Sequence, residues 1–293
     1  MVDLSINLAG INMKNPVMVA SGTFGYGDEY AELMDINRLG TLVTKTITVH
    51  PRAGNPPPRI VETPAGMLNS IGLQNVGLQS FISDKLPKLR KLTIPIIVSI
   101  AGESLDEFIQ LAKKLDVQPG IAGLEMNISC PNVSAGGMFF GIDAKLTKEV
   151  VSAVRKVTKL PLLVKLTPNV TDITLIGRTA EDAGADALVA INTLLGMAID
   201  IKTGKPKLGN ICGGLSGPAI KPIAVRMVYE LAKKVKIPIV GTGGIMNVED
   251  AIEFFYAGAT AVSIGTGIFV DPQIPIKIVD ELTKLFHTNK WKS

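Results

Sequence analysis

Two lysines close apolar runs: Lys45 after Thr41-Leu-Val-Thr44, and Lys165 after Pro161-Leu-Leu-Val164. An ammonium in an apolar strand is unfavourable unless it snorkels to the rim or meets an anion or a cavity. Two of them together suit stabilisation of negative charge, on a substrate carboxylate or on an electron-rich ring. Asn127 and Asn192 add neutral donors and acceptors that fit a planar, amide-bearing ring. Cys130 lies in Asn127-Ile-Ser-Cys-Pro-Asn132 at the start of a long loop. A lone cysteine is often just a small buried apolar residue. On such a loop, a thiol with an unperturbed pKa near ~8.5 can act as a base at neutral to alkaline pH. Cys212, in Ile211-Cys-Gly-Gly214, has no comparable setting and reads as structural. His50 and His287 lack partner spacing for metal or triad chemistry, and no metal site is expected.

Two glycine loops add a second kind of chemistry, Gly241-Thr-Gly-Gly244 and Gly265-Thr-Gly267. Glycine lets backbone N–H groups approach phosphate oxygens closely, although one such loop alone could be only a tight turn. Neither is a dinucleotide fingerprint or a P-loop. A phosphate-bearing cofactor is the expectation.

Bringing these residues together requires a scaffold that gathers strand ends. Eight short runs rich in β-branched residues recur: 17–20, 41–44, 95–100, 123–128, 161–166, 187–191, 238–241 and 261–264. Most are followed by amphipathic helical stretches, which implies parallel strands joined by right-handed crossovers. Ser104-Leu-Asp-Glu107 reads as a capping box for a helix to Leu115, and Asn247 as the cap of one to Tyr256, stopped by Ala257-Gly258. Residues 171–183 and 218–236 supply two further helices. The fold class is α/β: a (β/α)8 TIM barrel, one domain over residues 1–293. Three connections exceed simple βα turns: 50–77, 129–146 with Gly136-Gly137, and 192–217, where Lys202–Lys205 could turn a hairpin. All follow strand C-terminal ends, the active-site face of such barrels, so they are expected to wall the site. The polar residues at those ends are Ser21, Lys45, Ser99, Asn127 with Cys130, Lys165, and Asn192 with Thr193, followed by the two glycine loops.

Composition excludes other classes. A chain of 293 residues that is 46% hydrophobic can bury a full barrel core. The net charge of +4 is spread along the chain, so no nucleic-acid face is expected. Two cysteines without a CxxC pair suit a reducing cytoplasm. No apolar run reaches the roughly 18–20 residues of a spanning helix, so no membrane association is expected. Residues 1–14 lack a signal-peptide core. The tail Phe286–Ser293, with Trp291, reads as a loosely ordered terminus.

The chain resembles the dihydroorotate dehydrogenases, specifically class 1B catalytic subunits, along essentially its whole length. The resemblance rests on Asn15-Pro-Val-Met-Val-Ala-Ser-Gly-Thr-Phe-Gly25, Lys45-Thr46, Pro51-Arg-Ala-Gly-Asn-Pro-Pro-Pro-Arg59 and Asn69-Ser-Ile-Gly-Leu-Gln-Asn75. Asn127–Asn132, Lys165-Leu-Thr-Pro168, Gly213-Gly-Leu-Ser-Gly217 and Gly241–Gly244 complete it. It implies oxidation of (S)-dihydroorotate to orotate in pyrimidine synthesis. Cys130 would take the C5 proton, as class 1 members use cysteine and class 2 members serine, while hydride leaves C6 for FMN N5. Lys165 would stabilise negative charge on the reduced ring.

Lys45, Asn69, Ser70, Ile71, Gly72, Leu73, Asn127, Asn192 and Thr193 match the family's orotate-holding positions. Ser21, Lys45, Thr46, Asn127, Lys165, Ile191, Gly217, Gly243, Gly244, Gly265 and Thr266 match its FMN positions. Ser99 stands where many relatives carry Asn; its hydroxyl supplies one hydrogen bond to FMN but not both amide functions. Class 1B members pass electrons to NAD+ through a second subunit carrying FAD and a [2Fe–2S] cluster. Two cysteines are too few to bind that cluster here, so a partner chain would supply it, in a heterotetramer of two catalytic and two electron-transfer chains. The competing readings are a class 1A fumarate-dependent homodimer, another FMN barrel reductase acting on dihydropyrimidines or dihydrouridine, and a non-catalytic scaffold barrel.

Overall fold

A computed structural model describes residues 2–128 and 140–287; Cys130, Gly136-Gly137 and Trp291 lie outside the described residues. All eight β-branched runs form strands of one closed parallel barrel. In chain order they are β1 (Val17–Val19), β2 (Thr41–Val43), β3 (Ile96–Ile100), β4 (Gly123–Asn127), β5 (Leu162–Leu166), β6 (Ala187–Ala190), β7 (Ile239–Thr242) and β8 (Ala261–Ile264). Each pairs with its sequence neighbours, and β8 closes the ring on β1 through Val262↔Val17 and Ile264↔Val19.

Strand alternation sorts the side chains into two cores. Outward residues such as Val17, Leu42, Val98, Leu124 and Val164 pack under the helices in one large cluster. Inward residues Met18, Val43, Ile97, Leu163, Ala187, Val189, Val240 and Ala261 fill the barrel's N-terminal half. A hairpin of Ile6–Leu8 and Ile11–Met13, turning at Ala9 (φ 52°) and Gly10 (φ 89°), plugs that end with Leu8, Ile11 and Met13. Residues 6–13 thus form an element that the polar composition of the first fourteen did not suggest. Its alternation spans only three residues per strand.

The helices start where their caps stand. Ser104 Oγ accepts from Glu107 N at 3.3 Å, opening Leu105–Asp116, and Asn247 Oδ1 accepts from Asp250 N at 2.8 Å, opening Val248–Tyr256. Asp143 and Asp172 cap Ala144–Arg155 and Ile173–Asp182 in the same way. Each such cap stabilises its helix by about 1 kcal/mol. The expected capping box is only half formed, because Glu107 accepts from Glu103 N at 2.7 Å instead of from Ser104 N. The helix expected over 218–236 opens as a 3-10 turn, Pro218–Ile220, and runs as α-helix from Lys221 to Ala232.

Two of the three long connections build one structure. Ile60–Thr63 and Gly66–Asn69 come from the first; Leu194–Met197 and Cys212–Ser216 come from the third. They join in an antiparallel sheet through Gly214↔Asn69 and Ser216↔Met67. The expected turn at Lys202–Lys205 is present, with Gly204 N donating to Asp200 O at 2.8 Å. This sheet stands over one side of the barrel's open end.

Candidate functional site

Above the apolar half, the inward positions turn polar. On β4 the residues facing in are Gly123, Glu125 and Asn127, and on β5 they are Leu163 and Lys165, with Asn127 paired to Lys165 in register. A cleft opens there, holding about 1240 Å³ of empty space including the part open to solvent. Ser21, Lys45, Thr46, Asn127, Lys165, Ile191, Asn192 and Thr193 reach it from the barrel strands. Gly243, Gly244, Gly265 and Thr266 line it after β7 and β8, while Asn69, Ile71, Gly72, Leu73 and Gly217 come from the overlying sheet and its flanks. Sequence positions about 250 residues apart therefore share one wall.

Two expected residues do not line the cleft. Ser70 is buried behind the wall, its Oγ accepting from Asn55 Nδ2 at 2.8 Å. Ser99 is fully buried below the floor, where its hydroxyl donates to Glu125 Oε1 at 2.9 Å. Strand alternation and hairpin register turn these hydroxyls toward protein partners. Thr23, Gln74, Gly214, Ser216 and Thr242 line the cleft without having been expected there. Ser216 carried a signal, since it belongs to Gly213-Gly-Leu-Ser-Gly217. It accepts from Thr266 Oγ1 at 2.6 Å, tying the sheet to the glycine loop after β8.

Lys45 and Lys165 both extend to the cleft, and neither ammonium has a hydrogen bond or close ion pair among the described residues. Lys165 is only 7% exposed. Burial pushes the Lys45 pKa down; the Glu29 carboxylate opposes that shift and the Arg59 guanidinium adds to it. An unpartnered, partly desolvated ammonium is a ready site for an anion.

A pH dependence follows. The folded pKa of Lys45 lies below the ordinary 10.5, so the unfolded chain holds that proton more tightly. The resulting penalty is full at neutral pH and fades as pH rises through the lowered value toward 10.5. Lys45→Met is therefore expected to raise the Tm of the ligand-free chain at pH 7, with the advantage shrinking in alkaline buffer. Melts across pH check this, and an advantage that grows with pH contradicts it.

The wall segment 69–75 is held in an uncommon backbone shape, with Gly72 at φ 74° and Leu73 at φ 54°. Asn75 fixes it, donating to Leu73 O at 2.7 Å and to Thr48 Oγ1 at 2.8 Å. Arg59 braces it from outside, bonding Gln74 Oε1 at 2.7 Å and Ala53 O at 3.0 Å. Across the cleft, Asn192 Nδ2 donates to Asn127 Oδ1 at 3.3 Å, which orients both amides. Preorganised polar groups above an apolar plug are what selective recognition of a small polar ring requires.

Comparison with known proteins agrees with this geometry. The family model described as dihydroorotate dehydrogenase matches residues 3–286. A protein of Citrifermentans bemidjiense named dihydroorotate dehydrogenase B (NAD(+)), catalytic subunit, is 54% identical over 291 residues, 99% of this chain and 95% of its own. The proteins of that name from Geotalea uraniireducens and Thermoanaerobacter pseudethanolicus are 55% and 53% identical, each over 98% of this chain and covering 94% and 95% of their own. With a family match over nearly its full length and relatives above half identical, this chain belongs to the dihydroorotate dehydrogenase family.

Proposed function

We propose that this chain, as one barrel domain over residues 1–293, oxidises (S)-dihydroorotate to orotate as the catalytic subunit of an NAD+-linked dihydroorotate dehydrogenase. The observation that carries the reading is the convergence in one cleft of two ammoniums without a hydrogen bond or close ion pair among the described residues, an oriented Asn127–Asn192 pair and a glycine cradle. The names of the relatives favour the NAD+-linked enzyme over a fumarate-linked one. The reading takes the enzyme as cytoplasmic, which two cysteines without a CxxC pair suit; among the described residues no helix is long and apolar enough to cross a membrane.

The cleft fits FMN on a steric observation. A Cβ at Gly265 would meet only Ala20 Cβ, at 3.7 Å, and its φ lies outside the left-handed region, so neither packing nor backbone explains a glycine there. The space is kept for a ligand. Gly244 differs, with φ 75° and a would-be Cβ 2.8 Å from Gly217 O. Gly265→Ala is thus expected to leave Tm unchanged or slightly higher while weakening FMN binding at least about tenfold. Gly244→Ala is expected to cost about 1–3 kcal/mol of stability through strain. Melting and flavin titration separate the two; equal FMN affinity in Gly265→Ala contradicts the cradle.

Gly217, Gly243, Gly244, Gly265 and Thr266 would hold the FMN phosphate, and Ser21, Thr46, Asn127, Lys165 and Ile191 its ring. When bound, FMN supplies a two-electron acceptor. Lys45, Asn69, Ile71, Gly72, Leu73, Asn127, Asn192 and Thr193 hold the substrate, with Lys45 against its carboxylate. The substrate loses a proton from C5 to Cys130 and a hydride from C6, and the C5–C6 double bond forms. Lys165 stabilises the negative charge that builds on the electron-accepting side. FAD and a [2Fe–2S] cluster belong to an electron-transfer partner, in an assembly of two chains of each kind.

Anaerobic titration of the purified chain with dihydroorotate tests the reading. Loss of oxidised-flavin absorbance with orotate appearing is expected. A yellow protein that dihydroorotate does not bleach points to a different flavin barrel, and a chain that takes up no FMN overturns the enzymatic reading.

A further inference from the structure

Glu125 sits in the middle of β4, only 2% exposed, and the chemistry above leaves it unused. Two hydroxyls converge on its Oε1, Ser21 Oγ at 2.8 Å and Ser99 Oγ at 2.9 Å. Ser99 Oγ also lies 2.9 Å from Thr46 Oγ1. No close ion pair joins Glu125 to Lys165 on the neighbouring strand among the described residues; Glu125 faces Leu163 in register. Among the described residues the carboxylate's hydrogen-bond partners are the hydroxyls of Ser21 and Ser99.

Each hydroxyl has one proton and two lone pairs, and an ionised carboxylate only accepts. With Glu125 ionised, Ser21 and Ser99 both spend their protons on it. Ser99 then has none left for Thr46, so Thr46 must be the donor in that bond. Of these groups, Ser21 and Thr46 line the cleft, whereas Ser99 and Glu125 lie beneath it. Both lining oxygens consequently present only lone pairs to a ligand. They match an N–H and repel a carbonyl oxygen.

We propose that Glu125 is a positioning residue: it fixes the proton order of the floor, making Ser21 and Thr46 acceptors for flavin N–H groups. The proposal rests on the flavin reading above. A reduced flavin carries more ring N–H than an oxidised one, so an acceptor-only floor binds the reduced form better and raises the reduction potential. Glu125→Gln puts a donor beside the hydroxyls and frees Ser21 and Thr46 to reverse.

The test measures oxidised-FMN affinity and the midpoint potential of bound FMN in the wild-type chain, Glu125→Gln and Ser99→Ala. Glu125→Gln is expected to lower the ratio of reduced to oxidised affinity about tenfold, a potential about 30 mV more negative for two electrons. Ser99→Ala, which leaves Ser21 bound to Glu125 and releases only Thr46, is expected to shift it less and in the same direction. It also serves if Glu125→Gln does not fold. A residue that merely packs the barrel would change stability or FMN affinity in both redox states alike; an unchanged potential overturns the proposal. Difference infrared spectra of the flavin-free wild-type chain against Glu125→Gln, or against Glu125→Asp if needed, give an independent reading. An ionised-carboxylate band from Glu125 is expected, and a protonated carboxyl band overturns the proton order. If the chain binds no FMN yet shows the ionised band, the flavin reading fails while the ordered floor stands.

Discussion

Cys130→Ala is expected to slow dihydroorotate oxidation by about 10²–10⁴-fold, the range lost when a general base is removed, while the protein still takes up FMN. The C5 proton is the one group of the substrate that a basic side chain must remove. Cys130 stands three residues after Asn127, whose side chain lines the cleft floor at the end of β4. Cys130 itself lies outside the described residues, so its assignment rests on sequence position. Cys130→Ser separates base chemistry from shape, because serine keeps the volume and a hydroxyl but ionises far less readily than a thiol. Stopped-flow bleaching under anaerobic conditions, repeated across pH, provides the measurement. Turnover of Cys130→Ser that equals wild type at every pH removes Cys130 from the mechanism.

Lys165→Ala should be nearly as damaging, at about 10²–10³-fold in the rate of flavin reduction, comparable to losing one preorganised donor at a developing anion. The ammonium is almost fully enclosed and has no hydrogen bond or close ion pair among the described residues, so its charge is available to the ligand. Removing it also relieves a desolvated charge, so the variant should fold at least as well as wild type. Lys165→Arg is not a rescue, since a planar fork replaces a compact point charge in a fitted space. A reduction rate at saturating substrate within a few-fold of wild type would show that Lys165 only fills the floor. The signature that distinguishes it from Lys45 is where the loss falls. Lys45→Ala acts first on substrate affinity, and Lys165→Ala on the rate at saturation.

The barrel was legible because its signal is local. Eight runs rich in β-branched residues, each four to six residues long, could be found singly, and all eight are barrel strands. Once strand ends are known, a barrel brings them to one mouth whatever lies between. That rule placed Ser21, Lys45, Asn127, Lys165 and Asn192 correctly in the cleft. It worked less well for loops. Ser70 follows the cleft-lining Asn69, yet the hairpin register turns it to Asn55.

What the sequence determined by itself is thus the strand set, the face that carries chemistry, and the residue types that stand there, all of them consequences of short runs of local composition and the residues that end them. Tertiary structure alone decided which distant segments meet. The sheet over the cleft joins Gly66–Asn69 to Cys212–Ser216, and the plug sends Leu8, Ile11 and Met13 into the barrel. It also decided the role of Glu125, whose hydroxyl partners are 104 and 26 residues away. A glutamate in a strand shows only that a charge must be satisfied. Which groups satisfy it depends on barrel closure and inter-strand register, and no window of sequence contains either.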